Sequence, residues 1–360
     1  MRTARSVDAH GGPEGVGGGS PIRRRRTVHL LGRVSLAAAG VIVIALISGS
    51  LYQYVGSARD LRRHPAPGAL VDLGSHRLHL HCTGAGGPTV VLAHAGGSLS
   101  AQWALVQPQL AEGLRVCSYD RAGFGWSDSP DAPDLPGGMA ADARSAADEL
   151  TRLLDASGES GPYLLVGHSF GSFVVEQFAL LRANDVAGLV LLDPGYAIGT
   201  PGVPADVDAQ MRTRDAGIIA AGPWFARSGL FRVAAALGAM EAQRDLPTQE
   251  GSAFARMSLR TRHWETIRAE AGAMEHTSRQ ARTARARLPS VPLLVLSATT
   301  PDTRLRREWT AANERLAQSA RGVHRSLPAS DHMGLVLDAE QAAEVTAAIL
   351  DLVGDLPGRR

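Results

Sequence analysis

Gly161-Pro-Tyr-Leu-Leu-Val-Gly167-His168-Ser169-Phe170-Gly171 is the most informative stretch of this 360-residue chain. An apolar run of strand length, Tyr163–Val166, enters a Gly-x-Ser-x-Gly turn and leaves it into the apolar helical stretch Ser172–Arg182. A serine on such a sharp strand-to-helix turn projects its Oγ clear of the sheet, and the small Gly167 and Gly171 relieve the crowding that the turn creates. The helix that follows aims backbone N–H groups at developing negative charge. Glycine and serine are common in turns, so the string alone says little. Strand, turn and helix in that order make Ser169 a candidate nucleophile.

Outward from the turn, short apolar runs alternate with helical stretches. Strands are expected at Arg77–Cys82, Thr89–Ala93, Arg115–Tyr119, Gly188–Leu192, Pro292–Ser297 and Val323–Leu327, and helices at Gly138–Ala156, Glu308–Ala320 and Ala339–Val353. Strands alternating with helices imply an α/β fold, a mostly parallel sheet covered on both faces. Residues 197–288 break the alternation. They are rich in Ala and Arg, carry no clear strand, and read as a helical insertion between a first core segment, 70–196, and a second, 289–357.

The N-terminal part has a different character. Residues 1–33 hold seven Arg against Asp8 and Glu14, a net charge of +5; the remainder holds thirty Arg against thirty-three acids, a net of −3. The Gly-rich segment 11–20 buries too little to fold, so a disordered basic tail is expected over 1–33. Val34–Leu51 is uncharged over 18 residues, close to the roughly 20 a membrane-crossing helix needs. Residues 34–55 therefore read as a signal-anchor helix with Tyr52 and Tyr54 at the interface. The basic flank predicts a cytoplasmic N-terminus and a single-pass cell-membrane protein whose remainder lies outside. A signal cleaved near Gly56-Ser57-Ala58, giving a secreted protein, is the rival. Residues 56–69, with His64-Pro-Ala-Pro-Gly68, are expected to form a linker.

Composition narrows the function. A hydrophobic content of 44% excludes a disordered chain, and two Cys exclude a disulfide-dense scaffold or a multi-Cys zinc module. Every cation is Arg, which reads as codon usage and not as a nucleic-acid-binding signal. His76, His79 and His81 lack a positioned acidic or Cys partner, so they read as a strand face and no metal is expected.

From about Leu70 to Val353 the chain resembles the α/β-hydrolase superfamily, specifically serine esterase-, lipase- and peptidase-like members with a helical lid. Beyond the serine turn, Val90-Val-Leu-Ala-His94-Ala-Gly96-Gly97 resembles the family's strand followed by His-Gly-x-Gly, with Ala95 where Gly is usual. Tyr119-Asp-Arg-Ala-Gly-Phe-Gly-Trp-Ser-Asp128 resembles the structural Asp-Arg-x-Gly-x-Gly-x-Ser loop, and Ser330-Asp-His332-Met matches the loop that carries a catalytic His. The resemblance implies an eight-stranded sheet and acyl transfer by a Ser169–acid–His332 triad, with the Gly96 and Phe170 N–H groups as the oxyanion hole. It implies no cofactor. The acid stays open between Asp193, ending Gly188–Leu192 before Pro194, and Asp302, which lies about two residues late after the next strand. Asp193 is preferred.

Further expectations rest on the same resemblance. Gly97, His168, Trp224 and Trp264 are candidates for the substrate pocket, although His168 is more simply a packing residue. Cys82 and Cys117 fall on strands that neighbour one another in the superfamily's sheet, so a disulfide is open to them outside the cell. The insertion is expected to form the lid, and Arg256–Arg287, with eight Arg against three Glu, could attract an anionic substrate or lipid headgroups but is by default a solvated helix face. The functional expectation is a membrane-anchored extracytoplasmic hydrolase acting on a small-molecule or lipid-like ester. A peptidase or other acyl-transfer activity, or a catalytically silent binding protein on the same fold, is the alternative.

Overall fold

The computed structural model describes residues 21–129, 141–239 and 245–356, with side chains from residue 33 onward. The chain divides into two units, one ending at Ser48 and one beginning at Gly49. The tail expected over 1–33 lies outside the described residues up to 20. From Pro21 the backbone is helical, with Pro in the first turn where its missing N–H costs nothing. This helix, α1 (Pro21–Arg63), is long and apolar enough from Arg33 onward to cross a membrane, and Val41, Ile42, Ile44 and Ile47 are exposed on it.

The linker expected over 56–69 is helical as far as Arg63. No residue before Pro65 breaks the helix, and the position preceding a proline is pushed out of the α region. Within the second unit these last turns are well packed. Gln53 and Asp60 are buried, Gln53 Nε2 donates to the Leu259 carbonyl at 2.8 Å, and Asp60 accepts from Arg232 Nη1 at 2.6 Å.

The second unit carries an eight-stranded sheet in the order β1-β2-β4-β3-β5-β6-β7-β8. Its strands are β1 (Ala69–Asp72), β2 (Arg77–Thr83), β3 (Thr89–Ala93), β4 (Val116–Tyr119), β5 (Tyr163–His168), β6 (Val186–Leu192), β7 (Leu293–Ala298) and β8 (Val323–Leu327). β2 runs antiparallel to both neighbours, and β3 to β8 are mutually parallel. The short, largely exposed β1 is not among the expected strands, its apolar run being only Ala69-Leu70-Val71.

Successive strand side chains point to opposite faces. Val90, Leu92, Leu164, Val166, Val190 and Leu192 therefore pack under α11 (Gly334–Leu337) and α12 (Ala339–Gly354) on one side. Val91, Leu165, Leu189 and Leu191 pack under α3 (Ala143–Ser157) and α4 (Phe170–Leu181) on the other. Asp142 caps α3 by accepting from the Arg144 and Ser145 amides; the start expected at Gly138 lies outside the described residues. A short α2 (Gln107–Leu110) precedes β4, and among the described residues five helices lie between β6 and β7, α5 (Ala205–Thr213), α6 (Ala216–Arg227), α7 (Leu230–Ala236), α8 (Thr248–Met257) and α9 (Thr261–Arg285), followed after β7 by α10 (Arg304–Ser319).

Cys82 and Cys117 sit directly opposite one another on antiparallel β2 and β4, with Cα atoms 4.0 Å apart, and form a disulfide. Glu159 approaches both sulfurs, but these are bonded to each other and offer no thiolate to a metal.

Candidate active site

Parallel register brings three strand ends to one edge of the sheet, where open α/β sheets bind their ligands. Ala93 pairs with Gly167, His168 with Leu192, and Leu192 with Leu296. The residues that follow, His94–Gly97, Ser169 and Asp193, therefore emerge side by side.

Ser169 has φ 53° and ψ −117°, a left-handed backbone that a non-glycine residue adopts only when its surroundings enforce it. The enforcing bonds are visible. The Ser169 amide donates to the Leu192 carbonyl at 3.0 Å, while the Ser169 carbonyl accepts from Ser172 Oγ at 2.6 Å and the Gly195 amide at 3.0 Å. Gly171 is required by close approach, since a methyl group there would lie 2.7 Å from the His94 carbonyl oxygen. Phe170 opens α4, and Gly96 packs against it, a methyl on Gly96 falling 3.3 Å from Phe170 Cβ.

Asp193, also at positive φ (38°), is fully buried. Its Oδ2 accepts from His332 Nδ1 at 2.6 Å and from Arg306 Nη1, on α10, at 2.6 Å. Burial by itself raises a carboxyl pKa, but here the hydrogen bond and charge of His332, followed by those of Arg306, hold Asp193 below the ordinary range. The His332 loop is shaped by Asp331 Oδ1, which accepts from the Met333 and Gly334 amides at 2.9 and 2.7 Å. The Trp309 ring lies 5.2 Å from the imidazole. No hydrogen bond joins Ser169 Oγ to His332, a contact that often tightens only with substrate bound. Asp302 is exposed and bonds Arg307 at 2.6 Å.

A buried relay ties the loop after β3 to the histidine loop. Gln102 Oε1 accepts from the Ala95 amide at 3.2 Å, Gln102 Nε2 donates to His168 Nδ1 at 3.3 Å, and His168 Nε2 donates to the His332 carbonyl at 2.8 Å. Burial, and next the charge of His332, push the His168 pKa down to about 3, so its ring is neutral and structural. A second brace shapes the same loop. Arg121 donates to the His94 and Ala95 carbonyls at 2.6 and 3.1 Å and to Glu270 Oε1, on α9, at 2.8 Å.

Ser169, Gly96, Gly97 and Phe170 open onto a cavity of about 250 Å³ walled by Phe173, Ile198, Ile219, Ile267 and Met274, with Glu270 the one charged side chain at its wall among the described residues. Of the four pocket candidates only Gly97 lines it. His168 lies behind the site, and Trp224 is 67% exposed. Trp264 stacks on Phe231 at 4.4 Å and donates its indole N–H to Ser258, so it packs the insertion. A larger cavity, about 310 Å³, lies by His81, Gln107 and Trp126 and contains neither Ser169, Asp193 nor His332.

Gln102, Arg121, Glu270, Arg306 and Trp309 are site residues that motif reading missed. Arg121 carried a signal, because it belongs to the quoted Asp-Arg-x-Gly loop. Gln102 lies just beyond the His94–Gly97 loop in a short turn without a recognisable pattern, and Glu270, Arg306 and Trp309 are brought in by elements remote in sequence. The remaining acids of that loop are structural. Asp120 is buried among the Ser100 and Trp126 amides and His79, and Asp128 pairs with Arg77.

Comparisons agree with this architecture. The chain is 36% identical over 139 residues to Lipase LipV of Mycobacterium tuberculosis (38% of this chain, 49% of LipV). It is 35% identical over 128 residues to 2-hydroxy-6-oxo-2,4-heptadienoate hydrolase of Pseudomonas putida (35% and 44%). The chain thus spans about half the length, or less, of the relatives it matches. The enol-lactonase from Burkholderia xenovorans shares the fold, with TM-score 0.55 and 22% identity over 79% of this chain and 99% of that one. The family model for the alpha/beta hydrolase family matches residues 90–348, most of the chain and all three strand ends of the site, and the protein is a member of that family.

Proposed function

We propose that the protein is a membrane-anchored serine hydrolase that cleaves a carboxylic ester through an acyl-enzyme. The observation that carries this reading is the 2.6 Å bond from His332 Nδ1 to buried Asp193 at the edge where Ser169 stands on its strained turn over an apolar cavity. Bonding through Nδ1–H leaves Nε2 as the free base. In the proposed cycle Nε2 takes the Ser169 proton as Oγ attacks the ester carbonyl, and returns it to the departing alkoxide. Water then enters by the same route in reverse and releases the acid. The Gly96 and Phe170 amides would receive the tetrahedral oxyanion, each donor worth roughly 2.7–4 kcal/mol. Asp193 would hold the imidazole tautomer and stabilise its cation.

Two observations support an uncleaved anchor and an extracytoplasmic enzyme. Cleavage near Gly56–Ala58 would remove buried Gln53 from a helix packed against the insertion, and the Cys82–Cys117 disulfide suits an oxidising compartment. In this reading helices α5–α9 act as the lid, since Met211, Ile219, Ile267 and Met274 close the cavity from that side.

A fluorophosphonate probe tests the enzymatic reading. The wild-type protein is expected to be labelled on Ser169 and the Ser169→Ala variant to remain unlabelled. Folded wild-type protein that resists labelling and hydrolyses no p-nitrophenyl ester would return the chain to the binding-protein alternative.

A further inference from the structure

Three arginines, Arg227, Arg260 and Arg262, line a cavity of about 420 Å³ whose opposite wall is Ser50, Gln53, Tyr54 and Ser57 of α1. Arg227 has a partner, Glu265. The other two do not behave like surface cations. Among the described residues neither Arg260 nor Arg262 lies within 4.0 Å of a carboxylate. Arg260 spends Nη1 on the Gly125 carbonyl at 2.8 Å, and Arg262 has a buried Nε with no hydrogen-bond partner. Both guanidinium pKa values are lowered, first by burial; for Arg260 the next cause is the neighbouring charge of Arg262. Asp60, Asp120 and Asp128 offset this only in part, and holding two like charges together, partly desolvated and with no carboxylate in contact, is costly unless an anion joins them.

The backbone points the same way. Arg260 and Arg262 flank the start of α9, a 25-residue helix with no side-chain cap and no acid in its first turn, so its free amides and positive dipole end face the same region.

The position of the cavity identifies the anion's source. Ser50 lies within the last two residues of the uncharged run Val34–Leu51, and Tyr54 is three residues past its end. The α6–α7 turn reaches equally far, since a methyl on Gly49 would lie 3.1 Å from the Ser228 carbonyl carbon. Arg232, locked between Gln53 and Asp60, fixes α7 there. Flanking the cavity, residues 216–239 contain no carboxylate and expose Trp224, Leu230, Val233 and Leu237 at 67, 53, 44 and 79%. Exposed aromatic and aliphatic side chains beside arginines are the composition of a surface that sits in a lipid interface.

We propose that this arginine cavity binds the phosphodiester headgroup of an outer-leaflet phospholipid, resting on the reading that Val34–Leu51 spans the membrane. The phosphate bridges Arg260 and Arg262 and accepts from the first amides of α9, while the acyl chains run beside Trp224 and Leu230. The helical insertion is thereby seated on the bilayer surface rather than raised above it.

The test uses the full chain in detergent micelles, with phosphatidylglycerol titrated and bound lipid counted by native mass spectrometry. Phosphatidylglycerol is expected to bind one per chain, and Arg262→Gln, which breaks no internal hydrogen bond, to weaken it by about tenfold, as expected for one charge-assisted contact. Arg260→Gln, which sacrifices the Gly125 bond, is compared only after its melting temperature is shown to be native. Equal affinity of wild type and both variants overturns the proposal. Displacement of the lipid by millimolar inorganic phosphate at equal affinity overturns the lipid as source. Flotation with neutral phosphatidylcholine vesicles checks the underlying reading separately: a chain that fails to float has no anchor, whereas one that floats yet shows no phosphatidylglycerol site has lost only the headgroup proposal.

Discussion

Under the proposed cycle, replacing Asp193 by Asn while keeping Arg306 should leave the forming imidazolium beside an uncompensated cation. Both His332 Nδ1 and Arg306 Nη1 are 2.6 Å from the same Asp193 oxygen, so the two nitrogens are no more than 5.2 Å apart. An ion pair at about 4 Å is worth about 4 kcal/mol at an effective dielectric near 20. Losing it from the imidazolium-forming step corresponds to about three decades in rate. Arg306 opposes the imidazolium by about 3 kcal/mol at about 5 Å in wild type and variant alike, so it adds nothing to the loss. The expected loss in kcat for p-nitrophenyl butyrate is therefore about 10³-fold. Adding Arg306→Gln to Asp193→Asn should restore about tenfold to a hundredfold, making the double variant faster than the single one. Stability must be followed in parallel by near-ultraviolet circular dichroism, because an unpaired buried Arg306 costs roughly 3–5 kcal/mol. Asp302→Asn, at an exposed ion pair, should leave kcat within twofold. A folded Asp193→Asn enzyme within tenfold of wild type, or a double variant no faster than the single, refutes the reasoning.

Two further outcomes follow from buried charges near the site. Glu270→Gln removes the charge that Arg121 meets at 2.8 Å in a dry environment, so unfolding free energy measured in urea should fall by roughly 2–4 kcal/mol; an unchanged midpoint and slope would show that the pair is not a brace. Burial pushes His263 down to about 4 and His168 to about 3, both below the unfolded value of 6.5. The unfolded chain then binds protons the folded one refuses, so these two sites lose stability as pH falls from 6.5 toward 4, by about 3 kcal/mol each at pH 4. A urea midpoint that is flat between pH 6.5 and 4.5 would contradict neutral buried imidazoles.

The site divides by how its residues are delivered. Ser169 and His332 each sit in a local pattern of strand, turn and helix, and such patterns are legible in sequence because neighbours along the chain enforce them. The acid is delivered by sheet order instead. Asp193 and Asp302 both follow apolar strands, and only the register of β6 against β7 with the loop after β8 brings one of them to His332. Arg306 and Glu270 were invisible for the same reason, since their partners lie 113 and 149 residues away. Trp224 and Trp264 show the opposite failure. Size and apolarity suggested a pocket, but one faces outward and the other is consumed by packing within the insertion. The helix beyond residue 56 was missed because Gly56, Ser57 and the prolines after His64 look like a linker until Arg232 supplies partners for Gln53 and Asp60.

Under the proposed function, Gly171 has a consequence for how the protein can change over evolutionary time. Its Cα hydrogens are all that separates the turn bearing Ser169 from the Ala93 and His94 carbonyls at the end of β3. The gap between those two strand ends is therefore a fixed dimension of the backbone that no rotamer can adjust. The cavity wall, by contrast, is drawn largely from residues 198–274, which apart from Glu270 of the Arg121 brace can be exchanged without touching that gauge. A lineage can thus trade one clientele of substrates for another by rewriting the insertion while the reacting geometry is inherited unaltered.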